Sequence, residues 1–124
     1  MKLNKDCIRD TLLLLEDYLP VEALKQPIHI RTIYEDNKMH TTYSADDFIY
    51  TINKLSEAGY LNSSFLTNGI HIHSLSYDGH EFLDSIRDDS VWNKVKSKTT
   101  KVAGVGLPII KELGLAYTKQ KLGL

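Results

Sequence analysis

The stretch Ser44-Ala45-Asp46-Asp47-Phe48-Ile49-Tyr50-Thr51-Ile52-Asn53-Lys54-Leu55-Ser56-Glu57-Ala58-Gly59-Tyr60-Leu61 holds the start, body and stop of one helix, followed by the opening of a strand. Ser44 is an N-cap residue whose hydroxyl can accept an orphan backbone N–H. Asp46 and Asp47 fall in the first turn, where the positive end of the helix dipole favours acids. Phe48, Ile49, Ile52 and Leu55 line one face, and Gly59 stands where a left-handed C-terminal cap belongs. The pattern predicts a helix over 45–58. Beyond it, Tyr60 to Leu66 and Ile70 to Leu75 flank Asn68-Gly69, the dipeptide best suited to the positive φ angles of a tight hairpin turn. A β-hairpin is expected there. Ser76 is placed to cap a helix carrying Phe82, Leu83 and Ile86, and Gly79 one turn in allows that helix to approach the preceding strand closely.

Toward the N-terminus, Asn4 is a plausible cap for a helix to about Tyr18, in which Ile8, Leu12, Leu15 and Leu19 recur at helical spacing before Pro20. Ile28-His29-Ile30-Arg31-Thr32-Ile33-Tyr34 alternates β-branched with polar residues and reads as a strand, with Glu35-Asp36-Asn37 as its turn. Residues 39–43 read either as a hairpin partner or as an irregular link. Toward the C-terminus, Asp89 or Ser90 opens a helix with Val91, Trp92 and Val95 on one side, interrupted at Lys98-Thr99-Thr100-Lys101. Gly104 and Gly106 form a joint, and Pro108 suits the first turn of a last helix ending near Leu122. The order helix, strand, helix, β-hairpin, helix predicts an α+β chain: a winged-helix-like domain over 1–90 and a Lys-rich amphipathic helical extension over 91–124.

The composition agrees with one ordinary globular core: 124 residues, 42% of them hydrophobic and 25% charged. Cys7 is the single cysteine, so no internal disulfide can form, and a reducing compartment, the cytoplasm, is expected. The apolar run Leu12 to Leu15 is bracketed too closely by charges to be a signal peptide core. Val102 to Tyr117 is too short and too polar to span a membrane. Charge is unevenly spread. Residues 1–93 carry 8 Lys or Arg against 15 Asp or Glu, and residues 94–124 carry 7 Lys against the single Glu112. Such a basic segment seeks an anionic partner or folds back on its own acidic body.

Phe48 to Leu61, followed by Leu75-Ser76-Tyr77-Asp78-Gly79-His80-Glu81-Phe82-Leu83, resembles the recognition helix, wing and closing helix of bacterial winged-helix regulators. The opening M-K-L-N-K-D-C-I-R-D, the S-Y-D-G-H-E-F-L-D block, I-R-D-D-S-V-W and K-L-G-L together resemble a domain-of-unknown-function family frequent in phages and prophages and related to the YjcQ-like winged-helix proteins. The resemblance spans essentially the whole chain and implies fold and genomic setting, with no catalytic or ligand residues to carry over. One departure is that positions 20–43 offer no helix where the first member of a helix-turn-helix pair should sit.

Candidate sites follow from these elements. A recognition helix would present Asp46, Asp47, Tyr50, Asn53 and Lys54, yet no Lys or Arg occurs from Leu55 to Ile86, and phosphate contacts need such cations. The candidate wing is Asn68, Gly69, His71 and His73. His71 and His73 share a strand face, but zinc sites want three or four ligands, and H-E-F-L-D lacks the second histidine of H-E-x-x-H, so no metal or other cofactor is expected. Ser76, Asp78 and His80 are too crowded at one helix start for a hydrolytic triad. Cys7 has no paired base, so a packed thiol is the simpler reading. No enzyme activity and no small-molecule ligand are implied. Lys94, Lys96, Lys98 and Lys101 form the candidate basic tail, through which nucleic acid is the alternative partner. Ile109, Ile110, Leu113 and Tyr117 are the candidate oligomerisation surface, since the last helix carries more apolar surface than it can hide alone. The expected function is a self-associating interaction module for a host or phage protein; the alternative is a winged-helix transcriptional regulator.

Overall fold

Helix α1 (Lys5–Tyr18) begins where the Asn4 side chain accepts the Cys7 N–H at 3.1 Å, and it buries Cys7, Ile8, Thr11, Leu12 and Leu15. The computed structural model describes residues 1–102 and 104–124. Pro20 leads into a single 3-10 turn at Val21–Leu24, of which Ala23 is buried. The strand expected over 28–34 is cut to two residues, β1 (Ile28–His29), and helix α2 (Ile30–Asp36) follows at once. The run Ile30 to Tyr34 fits helical spacing as well as alternation: Ile30 and Ile33 lie one turn apart and both are buried. His29 tips the choice, because its Nδ1 accepts the Arg31 N–H at 2.9 Å and so caps the helix. Helix α3 (Met39–Thr42) occupies the segment read as strand or link. Positions 20–43 therefore do contain helix, against expectation.

Helix α4 (Ala45–Glu57) starts as its sequence predicts, with Ser44 Oγ accepting the Asp47 N–H at 3.1 Å. Its stop is a Schellman arrangement: Tyr60 N–H donates to Leu55 O at 2.9 Å, Gly59 N–H donates to Ser56 O at 3.1 Å, and Gly59 has φ +82°. Tyr43 positions the entry to this helix. Its hydroxyl donates to Asp10 Oδ2 on α1 at 2.5 Å, while burial, then that carboxylate, hold its pKa far above the ordinary phenol range. The buried face of α4 is Phe48, Thr51, Ile52 and Leu55. Ile49 does not belong to it, being 45% exposed. At about 100° per residue, Phe48, Thr51, Ile52 and Leu55 fall within an arc of about 100°, and Ile49 lies about 60° outside it. Thr51 takes the inward position instead and donates to Cys7 Sγ at 3.4 Å.

Strands β2 (Leu61–Leu66) and β3 (Gly69–Leu75) form the expected hairpin, but its two-residue turn is Thr67-Asn68 rather than Asn68-Gly69: Gly69 pairs with Leu66 and takes φ +122°, whereas Asn68 has no positive φ. The antiparallel sheet has the order β1-β3-β2, and the register of β2 on β3 shifts between Asn62 and Ser63. Ser76 then caps helix α5 (Tyr77–Ile86), its Oγ accepting the Gly79 N–H at 3.0 Å and donating to Gly59 O at 2.5 Å.

Asp88 caps helix α6 (Asp89–Thr99), which buries Val91, Trp92, Val95 and Thr99. Helix α7 (Leu107–Lys121) has Pro108 in its first turn and buries Leu107, Ile110 and Gly114. Two compact units result, Met1–His80 and Glu81–Leu124, with α5 contributing to each. No helix among the described residues is long and apolar enough to cross a membrane.

Candidate functional site

Away from its buried face, α4 presents Asp46, Ile49, Tyr50, Asn53 and Lys54. Asp46 and Ile49 are exposed, while Asp47, Tyr50, Asn53 and Lys54 are half-buried. Lys54 is committed locally, its Nζ 3.0 Å from Glu57 Oε2 and 5.4 Å from the centre of the Tyr50 ring. An open groove of about 400 Å³ separates this face from the hairpin, with Asp46, Ile49, Tyr50 and Asn53 on one wall and Phe65 and Ile70 on the other. Across Ile49 lies a second groove of about 280 Å³ between α2 and α4, bounded by Arg31, Tyr34, Glu35 and Ala45. Ile49 is the ridge between the two. Beside it, Phe65 is 63% exposed. The sequence reading missed both, placing Ile49 in the core and leaving Phe65 unassigned. The available signal was the helical position of Ile49, about 60° outside the arc of Phe48, Ile52 and Leu55.

The histidines of the candidate wing are structural ties. Because His29 Nδ1 accepts the Arg31 N–H, the imidazole proton lies on Nε2, which donates to Asn68 O at 2.6 Å. His71 Nε2 donates to Asn68 Oδ1 at 3.0 Å, and the rings of His29 and His71 meet edge to face at 4.9 Å. His73 is drawn elsewhere: Ser64 Oγ donates to its Nε2 at 2.7 Å, and its Nδ1 donates to Ala23 O and Leu24 O, each at 3.1 Å. His71 and His73 thus have separate partners. Among the described residues, no three His, Cys, Asp or Glu side chains are grouped to hold a metal ion. Ser76 is engaged at the α5 cap, and His80 Nδ1 lies 3.4 Å from Glu16 Oε2. Cys7 is fully buried, and burial pushes its thiol pKa up, the opposite of what a reactive thiolate needs.

In the second unit, Lys94, Lys98 and Lys101 are exposed on or just after α6, and Lys96 is half-buried with its Nζ 5.9 Å from the Trp92 ring. Lys94 Nζ lies 5.9 Å from the Tyr117 ring. The four candidate oligomerisation residues do not share one open face. Ile109 is exposed and Leu113 and Tyr117 are half-buried, whereas Ile110 is 2% exposed. Lys121 Nζ bonds Asp88 Oδ1 at 2.7 Å. That bond first, then those from Ser90 and the Val91 N–H, hold the Asp88 carboxyl well below the usual carboxylate range. A group with a lowered folded pKa stabilises above its unfolded value of about 3.9, and the contribution is lost as pH falls through the folded value. As pH falls below about 4 the contribution of this bond to stability is therefore expected to shrink, and Lys121 is released, fraying the end of α7, only as pH passes the lower folded value. Asp88→Asn should remove the part of that pH dependence seen in the Lys121 side-chain NMR signals.

Fold and surface together define a class: a mixed α+β protein with a small three-stranded antiparallel sheet and an open apolar groove between one helix and the hairpin. The chain belongs to the family described as "Hypothetical protein (DUF2513)", which matches residues 2–106, ending just before α7. It is similar to an "Uncharacterized protein" of Haemophilus influenzae, 29% identical over 127 residues that cover 98% of this chain and 99% of the relative. No solved structure matches the chain.

Proposed function

We propose that this protein is a non-enzymatic, winged-helix-like interaction module of the bacterial cytoplasm that receives a partner protein on the α4 and hairpin face. The observation that carries this reading is the exposed Ile49 ridge, flanked by Phe65 and Ile70 and edged by Asp46, on the face a DNA-reading winged helix would turn to phosphates. An apolar ridge beside acids suits a protein surface with a cation at its rim and repels a phosphate backbone. The order α1, β1, α2, α4, β2, β3 and the sheet order β1-β3-β2 support the winged-helix reading, and α2 supplies the helix that the sequence alone did not reveal. The phage and prophage setting and the kinship to YjcQ-like proteins rest on the resemblance of the quoted motifs.

The test is capture of the partner from an infected or lysogenic host, followed by measurement of its affinity for variants. Ile49→Lys is expected to weaken binding about tenfold or more, as the loss of a central apolar anchor does. An unchanged affinity rejects this face. The second reading, a nucleic-acid-binding regulator, is favoured by one observation: Lys94, Lys98 and Lys101 stand exposed at helical spacing. It predicts duplex binding near physiological salt that weakens steeply as salt rises and disappears when those lysines become Ala. That result would replace the first reading.

A further inference from the structure

The β2 strand is the long edge of the sheet, and its outer side is unguarded. In the order β1-β3-β2, β3 lies in the middle and β2 runs for six residues along the rim. Among the described residues, no element other than β3 makes a backbone hydrogen bond to Asn62–Leu66. Its side chains are bonded within the sheet or to α4: Asn62 to Ser74 at 3.0 Å, Ser64 to His73 at 2.7 Å, and Ser63 to Ser56 at 2.8 Å. Edge strands are ordinarily protected by lysines, prolines, inward charges or covering loops. Here the register shift at Asn62/Ser63 is the one such device, and neither proline nor charge occurs from Leu61 to Leu66.

Charge selects the occupant. From Ala58 to Tyr77 there is no Asp, Glu, Lys or Arg, in a chain of which 25% is charged. The unit around this hairpin carries 7 Lys or Arg against 11 Asp or Glu over residues 1–80. A two-fold contact sets a patch against the same patch of the second copy, so a patch of net charge meets its own sign. Meeting through α4 would set a face of net negative charge, Asp46, Asp47 and Glu57 with Lys54, against its like. The uncharged hairpin is free of that penalty. Its β2 edge also offers what an antiparallel copy of itself requires, a row of main-chain donors and acceptors next to Phe65 and Leu66, which are 63% and 54% exposed.

We infer that the protein forms a two-fold dimer by antiparallel pairing of β2 with β2 of a second copy, joining two sheets into one of six strands. This pairing runs along the edge of β2, next to the groove whose far wall holds Phe65, and one set of variants tells it apart from the partner ridge at Ile49. Sedimentation of the full chain over a concentration series is expected to show a monomer–dimer equilibrium. The double variant Asn62→Lys, Leu66→Lys should weaken dimerisation about tenfold or more, with far-UV circular dichroism unchanged. Ile49→Lys, and Ile109→Lys with Leu115→Lys, should leave it intact. A chain that is monomeric throughout, a dimer that survives the edge variant, or one lost in the Ile109 and Leu115 variant overturns the inference. If the edge variant does not fold, hydrogen exchange of the native chain decides. Slower exchange of the β2 amides at high concentration supports the dimer, and exchange independent of concentration overturns it.

Discussion

Gly79→Ala is expected to destabilise the protein strongly, although Ala is the better helix former. Gly79 is buried in the first turns of α5, and a Cβ built there would lie 2.0 Å from the Tyr60 carbonyl oxygen and 3.0 Å from its carbon. Backbone cannot rotate aside as a flexible side chain can, so the helix must move away from the residue that precedes β2. That movement would stretch the Ser76 N–H to Tyr60 O bond of 3.0 Å and the Ser76 Oγ to Gly59 O bond that hold the two segments together. Propensity favours Ala over Gly by about 1 kcal/mol. Overpacking of this kind costs about 3 kcal/mol or more when the obstacle is main chain. Net destabilisation of about 2 kcal/mol or more is the expected outcome of urea denaturation followed by far-UV circular dichroism. A stabilised Gly79→Ala protein would mean that α5 does not approach Tyr60 as closely as the structure has it.

The second large effect is expected at Gly114, in the middle of α7. Its Cβ would meet Ser85 O at 2.3 Å, Ser85 C at 2.9 Å and Ile86 Cγ2 at 3.0 Å. Gly114 thus lets α7 lie against the end of α5, where Thr118 Oγ1 also donates to Ser85 O at 3.4 Å and Lys121 reaches Asp88. Gly114→Ala should lift α7 from this seat and expose Leu107 and Ile110. Trp92, the single tryptophan, is 3% exposed on α6, which packs beside α7, and so reports on the same unit. We expect a red-shifted Trp92 emission and a denaturation midpoint lowered by about 2 kcal/mol of stability, again against the sign that helix propensity predicts. A variant with native emission and higher stability would remove the docking of α7 on Ser85.

These two glycines show how far local pattern reaches. Gly79 was legible, because a glycine one turn into a capped helix beside a strand has few other uses. Gly114 was not. Leu113-Gly114-Leu115 looks like an ordinary weak point of an amphipathic helix, and only the position of Ser85, 29 positions earlier in the chain, gives it a purpose. The apolar stripe of the last helix was visible in the same way, but its cover was not: Ile110 is buried within the chain rather than offered to a second copy.

By itself, the sequence determined the elements whose signals are local: the Asn4, Ser44 and Ser76 caps, the Gly59 stop, the hairpin with its positive-φ Gly69, the Pro108 start of α7 and the α+β order they imply. Each rests on hydrogen bonds or φ angles set within a few residues. Tertiary structure alone decided where competing local readings were nearly equal. Ile28 to Tyr34 satisfies both the strand and the helix period, and the choice fell to helix at Ile30 once His29 capped it and Ile30 and Ile33 found the core. Phe48, Thr51, Ile52 and Leu55 filled the core face of α4, and Ile49, to one side of that arc, was left outside as the ridge of the candidate site. Periodicity could mark Ile49 as lying off the core face, but not what stands beside it, because the wall of Phe65 and Ile70 across the groove is set by neighbours in space.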